Sequence, residues 1–169
     1  MAAPVSTFLI WRLTKGEVFA ADPSMAQRMM LLNIRTLDWD SDMLSLFDIP
    51  RSILPSLFSS SGDWGSCQRG GRTLPLLACL GDQQAAVIGL GSMAEGSCVA
   101  NYGTGAFFLH NTGDKQHRVP GLLTSVGWKL KDEPPVFLQE GTVHAAGASF
   151  DWLRQNLGLL SGNAGIDRA

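Results

Sequence analysis

Charge of one sign is scarce in this chain. Thirteen Lys and Arg against fifteen Asp and Glu leave a net charge of −2, and the basic residues form no run. That excludes the electrostatic footprint of a nucleic-acid partner or an anionic membrane surface. Long apolar runs are also missing, none approaching the ~18 residues needed to span a bilayer. Phe8-Leu9-Ile10-Trp11 is too short for a signal-peptide core, and Arg12 and Lys15 follow it instead of preceding it. The three cysteines, Cys67, Cys79 and Cys98, are an odd count without C-x-x-C spacing. Free cytosolic thiols in a cytoplasmic protein are expected, not a metal site. His110, His117 and His144 are scattered and lack the i, i+4 spacing of a zinc pair. No G-x-x-x-x-G-K-[ST] or G-x-S-x-G occurs.

What is present suits a globular chain with one ordinary core: 169 residues, 45% hydrophobic and 17% charged. Val5 to Leu13 has helical apolar spacing, with Gly16 as a stop. Asp22-Pro23-Ser24 opens the next segment, with Pro23 suited to a turn or a first helical position. Asp40 caps a short helix that Pro50 ends, and Ile53-Leu54-Pro55 begins an extended stretch. Ser59 to Gly65 and Arg69 to Arg72 read as surface loop.

The run Leu74–Leu80, broken by Pro75, predicts a buried strand, since such strands read as apolar runs. A helix is expected over 82–89. Strands are expected over 98–101, 106–109, 122–126 and 136–138, with a hairpin-like turn at Thr112-Gly113-Asp114-Lys115. Ala145 to Leu157 predicts a helix with Phe150, Trp152, Leu153 and Leu157 as apolar positions. From Gly158 onward the Gly/Ser/Asn-rich end is expected to fray. The five tryptophans are expected in cores or interfaces. Pattern alone gives α/β or α+β.

Two short stretches carry chemistry. In Gly81-Asp82-Gln83-Gln84-Ala85-Ala86 a carboxylate arrives where an apolar run gives way to a helix. Such a switch lies at the lip of an α/β sheet, where ligands bind. Spacing alone equally allows Asp82 to be a helix N-cap and Gln83 an ordinary helix-face amide. In Gly103-Thr104-Gly105 two glycines let backbone approach an anion while Thr104 offers a hydroxyl; a plain hairpin turn fits as well. Gly89-Leu90-Gly91-Ser92-Met93-Ala94-Glu95-Gly96 imitates a dinucleotide loop, but its third glycine is displaced and helix precedes it instead of strand.

Taken together, Gly81 to Ala86 followed by Asn101-Tyr102-Gly103-Thr104-Gly105-Ala106-Phe107 closely resembles the FGGY carbohydrate kinase family, its glycerol kinases in particular. Asn33-Ile34-Arg35-Thr36-Leu37-Asp38-Trp39-Asp40 and Ile49-Pro50-Arg51-Ser52-Ile53-Leu54-Pro55 resemble the same family upstream. Downstream, Glu140-Gly141 and Ala146-Gly147-Ala148-Ser149-Phe150-Asp151-Trp152-Leu153-Arg154 do so too. Where the family usually writes Asn-Ala-Ser-Arg, this chain has Met25-Ala26-Gln27-Arg28.

The resemblance implies the ribonuclease-H-like, actin-type ATPase fold, in part. Residues 1–90 would be the C-terminal part of the family's N-terminal domain, and 91–169 the opening of its C-terminal domain. The implied reaction is ATP plus glycerol to sn-glycerol 3-phosphate plus ADP, with Mg2+. Asp82 would be the catalytic base and would, with Gln83, bind glycerol. Gly103, Thr104 and Gly105 would contact the nucleotide's phosphates, and Gly147 and Asp151 the nucleotide. An acid at Asp151, where bacterial members often carry Gln, is less welcoming to phosphate. Another FGGY sugar kinase and a non-catalytic association fragment are the alternatives. The family's Asp-x-Gly-Thr loop and polyol clamps would fall before Met1, and its adenosine contacts after Ala169. The chain alone is therefore expected to be inactive, and its open strand edges to favour a homo-oligomer.

Overall fold

The computed structural model describes residues 1–159; the expected fraying from Gly158 onward falls almost entirely outside them. The chain begins with α1 (Val5–Leu13), followed by β1 (Ala20–Ala21) and α2 (Pro23–Ala26), which runs into a 3-10 turn over Gln27–Met29. The hairpin β2 (Leu32–Asn33) and β3 (Asp38–Trp39) leads to α3 (Ser41–Leu46) and then β4 (Ser56–Leu57), which pairs parallel with β1. Each helix start has its sequence reason. Asp22 accepts from the Ser24 and Met25 backbone N–H groups with Pro23 at the first helical position, and Asp40 accepts from Asp42 and Met43.

The second hairpin is β5 (Ser66–Arg69) and β6 (Arg72–Pro75), turned by Gly70 and Gly71 at φ 58° and 75°. Two left-handed residues are what a tight hairpin turn requires. The buried strand expected over 74–80 is not there. β6 ends at Pro75, and beyond it the pairing is irregular: Leu76 N–H donates to the Gly65 carbonyl, Leu76 O accepts from Trp64 N–H, and Cys79 N–H donates to Ser60 O. Leu74 and Leu77 are exposed, and only Leu76 and Cys79 turn inward against Ile10, Ala20 and Trp64.

The rest is one antiparallel sheet and two helices. α4 (Asp82–Gly89) precedes β7 (Cys98–Tyr102), β8 (Ala106–Asn111), β9 (Leu123–Trp128) and β10 (Val136–Val143), and α5 (Gly147–Asn156) follows. The strand order is β7-β8-β10-β9. The turn at Thr112–Lys115 closes with Lys115 N–H on the Thr112 carbonyl, but it joins no hairpin, because β10 lies between β8 and β9. β10 runs five residues past the expected Leu138. Gln139 and Glu140 broke the apolar pattern, yet both are buried, and Glu140 finds charged and polar partners.

One sheet face packs on α4: Val87 joins Val99, Leu109, Trp128 and Leu138 in a buried cluster. Trp39, Trp64 and Trp128 fill cores as expected, whereas Trp152 is half exposed. α5 forms, but Phe150, Trp152 and Leu157 lie in the open and no residue of it is buried. The other sheet face exposes Tyr102, Phe108 and Val143.

Candidate active site

Asp82 is the first residue of α4, and the N-cap is Gly81, whose carbonyl accepts from Ala85 N–H at 2.8 Å. The carboxylate is therefore not the cap that spacing alone allowed. It is exposed, and its one hydrogen bond is from the adjacent Gln83 N–H, at 2.8 Å. A carboxylate in the first turn is favoured by the helix dipole and remains open to a ligand. Gln83 follows, partly exposed, while Gln84 turns into the protein and is 2% exposed. A Cβ at Gly81 would meet Gln84 Oε1 at 2.4 Å, so any larger residue there would push the buried Gln84 amide aside.

Gly103-Thr104-Gly105 is the tip of the β7–β8 hairpin, closed by Gly103 N–H on the Gly105 carbonyl at 2.8 Å. This tip rests on the first turn of α5. Ala146 and Ala148 N–H donate to the Thr104 carbonyl, and Gly147 N–H donates to Gly103 O at 3.0 Å. The approach is so close that a Cβ on Gly147 would lie 2.6 Å from that carbonyl, and one on Gly105 would lie 2.9 Å from Val143 O. The helix's leading N–H groups are thus spent on the hairpin. The exposed Thr104 hydroxyl remains a donor for an anion.

Gly103, Thr104, Gly105 and Gly147 therefore form one cluster. Asp151 sits one turn further along α5 and accepts from Arg154 at 2.9 Å, which offsets part of its charge. Asp82 and Gln83 stand on a different element. Among the described residues no hydrogen bond joins them to the hairpin; the connection runs through the core that α4 shares with the sheet. The open hollow of about 460 Å³ beside the hairpin is lined by Tyr102, Phe107, Phe108, Leu122 and Ala146, and Asp82 does not line it.

The donor set fits a nucleotide phosphate at the hairpin, where two Cβ-free positions and a hydroxyl converge. No cluster of three His, Cys, Asp or Glu exists among the described residues, so Mg2+ would be held mainly by the phosphate and water ligands it arrives with.

Cys79 is no nucleophile. Burial, and after it the Asp22 charge, pushes its thiol up to about 11. Alkylation with iodoacetamide, followed by peptide mass mapping, should modify exposed Cys98 while Cys79 stays unmodified. Equal rates at the two would contradict this burial.

Sequence reasoning passed over the contacts of Ser24, Gln27, Arg28 and Glu140. Ser24 Oγ accepts from Gly81 N–H at 2.9 Å. Gln27 exchanges two hydrogen bonds with the Val126 backbone, at 2.7 and 2.9 Å. Arg28 forks onto Glu140 at 2.7 and 3.3 Å. The only available signal was the Asp22-Pro23-Ser24 helix start, which says nothing of distant partners.

The pattern of the N-terminal domain of the FGGY family of carbohydrate kinases matches residues 2–89. The chain is 47% identical over 160 residues to a glycerol kinase of Francisella philomiragia, covering 92% of this chain and 32% of that protein. It is 43% identical over 167 residues to a glycerol kinase of Mycoplasmoides gallisepticum, covering 95% and 33%. The chain thus spans about a third of the length of the curated relatives it matches. Its backbone superposes on Plasmodium falciparum glycerol kinase with ADP at a TM-score of 0.87 and 34% identity, over 95% of this chain and 33% of that one. A xylulose kinase of Rhodospirillum rubrum shares the fold at a TM-score of 0.79 and 17% identity, over 96% and 33%. The mixed α/β architecture is therefore the one these kinases share. With the family pattern covering more than half of its residues, this chain belongs to the FGGY family of carbohydrate kinases.

Proposed function

We propose that this chain supplies part of the active site of a glycerol kinase that transfers the γ-phosphoryl group of ATP to glycerol. The observation that carries the reading is Asp82: exposed at the first position of α4, without an ion pair among the described residues, and not serving as the helix cap. In this reading residues 1–90 and 91–169 belong to the two successive domains of the family, and the site lies where α4 faces the sheet.

Phosphoryl transfer asks the protein mainly for positioning and charge. Asp82 takes the proton of the attacking glycerol hydroxyl, and Gln83, able to donate and accept, orients the polyol. Thr104 holds a phosphate oxygen through its hydroxyl, Gly103 and Gly105 let the hairpin tip come close to it, and Gly147 keeps that tip in place. Asp151 lies near the nucleotide, its charge moderated by Arg154. Mg2+, when bound, neutralises phosphate charge. The exposed apolar face around Tyr102 and Phe108 favours self-association of the free chain.

The test is a coupled assay with Mg-ATP on residues 1–169 exchanged for the aligned third of the Francisella glycerol kinase. Turnover with glycerol above ~1 s⁻¹, with the isolated 169-residue chain silent, is expected. Turnover with xylulose and not with glycerol would favour the pentulose kinase alternative, and none with either would overturn the proposal.

A further inference from the structure

Seven consecutive residues, Asp22–Arg28, join the turn before Asp82 to two strands of the sheet, β9 and β10. At one end Ser24, fully buried, accepts through Oγ from Gly81 N–H, the residue immediately before Asp82. At the other end the Gln27 side-chain amide accepts from Val126 N–H at 2.7 Å and donates to Val126 O at 2.9 Å. It thereby pairs with the free edge of β9 as a further strand would. The next residue, Arg28, reaches one strand deeper to Glu140, which is 7% exposed and also accepts from Ser125 at 2.6 Å. Between these ends the fully buried Asp22 caps α2 through Ser24 and Met25. Its carboxylate also accepts from Ser60, whose own Oγ accepts from Lys129 N–H just past β9.

Removing any one of these groups would leave a buried partner unsatisfied, which costs far more than a surface contact. The bond pattern is also two-ended. A helical turn is stiff, so a shift of the sheet edge at Val126 is transmitted to Ser24 and from there to the Asp82 turn.

We propose that Asp22–Arg28 is a positioning segment: Ser24, Gln27 and Arg28 together set the Asp82 turn against the sheet that carries the Gly103–Gly105 hairpin. The catalytic part of this inference rests on the proposed kinase reading; the mechanical part does not. None of the three residues touches a reacting atom. They act through Gly81 and through β9 and β10. A misplacement of ~1 Å between reacting groups can cost about 10²-fold in rate, which is why such a segment matters.

Amide hydrogen exchange on the 169-residue chain tests the mechanical part. Gln27→Ala, which has no contact with Gly81, should raise exchange at Gly81 as well as at Val126, and Ser24→Ala should raise it at Val126 as well as at Gly81. Effects confined to the directly bonded amide in both variants would overturn the proposal. In the active full-length exchange described above, Gln27→Ala should lower kcat by about tenfold or more. KM for Mg-ATP should move little, the melting temperature should fall because the buried Val126 backbone loses its partner, and Gln27→Glu, which can still accept from Val126 N–H, should recover part of the loss in kcat. An unchanged kcat beside a lowered melting temperature would mark the segment as merely structural. If Asp82→Asn in the same protein leaves kcat unchanged, the assignment of Asp82 as the base fails, while the exchange data still decide the mechanical claim.

Discussion

Asp82→Asn should lower kcat by on the order of 10²-fold or more, about 2.7 kcal/mol of barrier, when residues 1–169 stand within a full-length glycerol kinase. Asn keeps the size of the side chain and can still accept from the Gln83 N–H that Asp82 engages at 2.8 Å. It cannot take a proton. Because Gly81 and not Asp82 caps α4, the substitution leaves the helix start intact, so the loss should appear in chemistry and not in folding. Steady-state kinetics with glycerol and Mg-ATP separate the two: kcat falls while KM for ATP stays nearly constant. A kcat within about threefold of the parent would be too small a change for a lost general base. Asp82 would then be an ordinary first-turn carboxylate.

Gly147→Ala should be nearly as damaging, for a steric reason. The added Cβ would lie 2.6 Å from the Gly103 carbonyl, and that carbonyl is backbone, which cannot swing aside as a side chain would. The first turn of α5 must lift away from the hairpin, weakening the bonds from Ala146, Gly147 and Ala148 to Gly103 and Thr104. Overpacking of this kind costs ~1–3 kcal/mol. Moving Thr104 from its phosphate position should lower kcat/KM for ATP by roughly 10²-fold. Gly141→Ala is the control, since its Cβ would meet only the flexible end of Leu122 at 3.3 Å. If both variants lose kcat/KM equally, the close approach at Gly147 is not what holds the hairpin in place.

The candidate site was legible in unequal parts. Asp82, Gln83 and the Gly103–Gly105 turn announce themselves because glycines flank a charged or hydroxyl residue at the end of an element, and such local patterns survive without tertiary knowledge. The helices over Val5–Leu13 and Asp82–Gly89 were predicted to the residue, because apolar spacing and the glycine and proline signals beside them act within one turn; neither start has a side-chain cap. The run from Leu74 to Leu80 misled for a complementary reason. Apolar content predicts burial only when a partner surface exists, and here residues 76–79 pair irregularly with residues 60–65 while Leu77 faces outward. The turn at Thr112–Lys115 misled because adjacent strands in sequence were expected to be adjacent in the sheet, whereas β10 occupies that place.

By itself the sequence determined where α1 and α4 start and stop and offered Asp82, Gln83 and the Gly103–Gly105 turn as candidates for phosphoryl transfer, since propensity and glycine freedom are short-range. Only the tertiary structure decided that Gly147 lies under Gly103, that Glu140 can be buried because Arg28 and Ser125 meet it, and that Ser24 and Gln27 link the Asp82 turn to β9. Those pairs are separated by tens of residues to more than a hundred. Their partners are chosen by the packing of whole elements, a long-range property that no local pattern records.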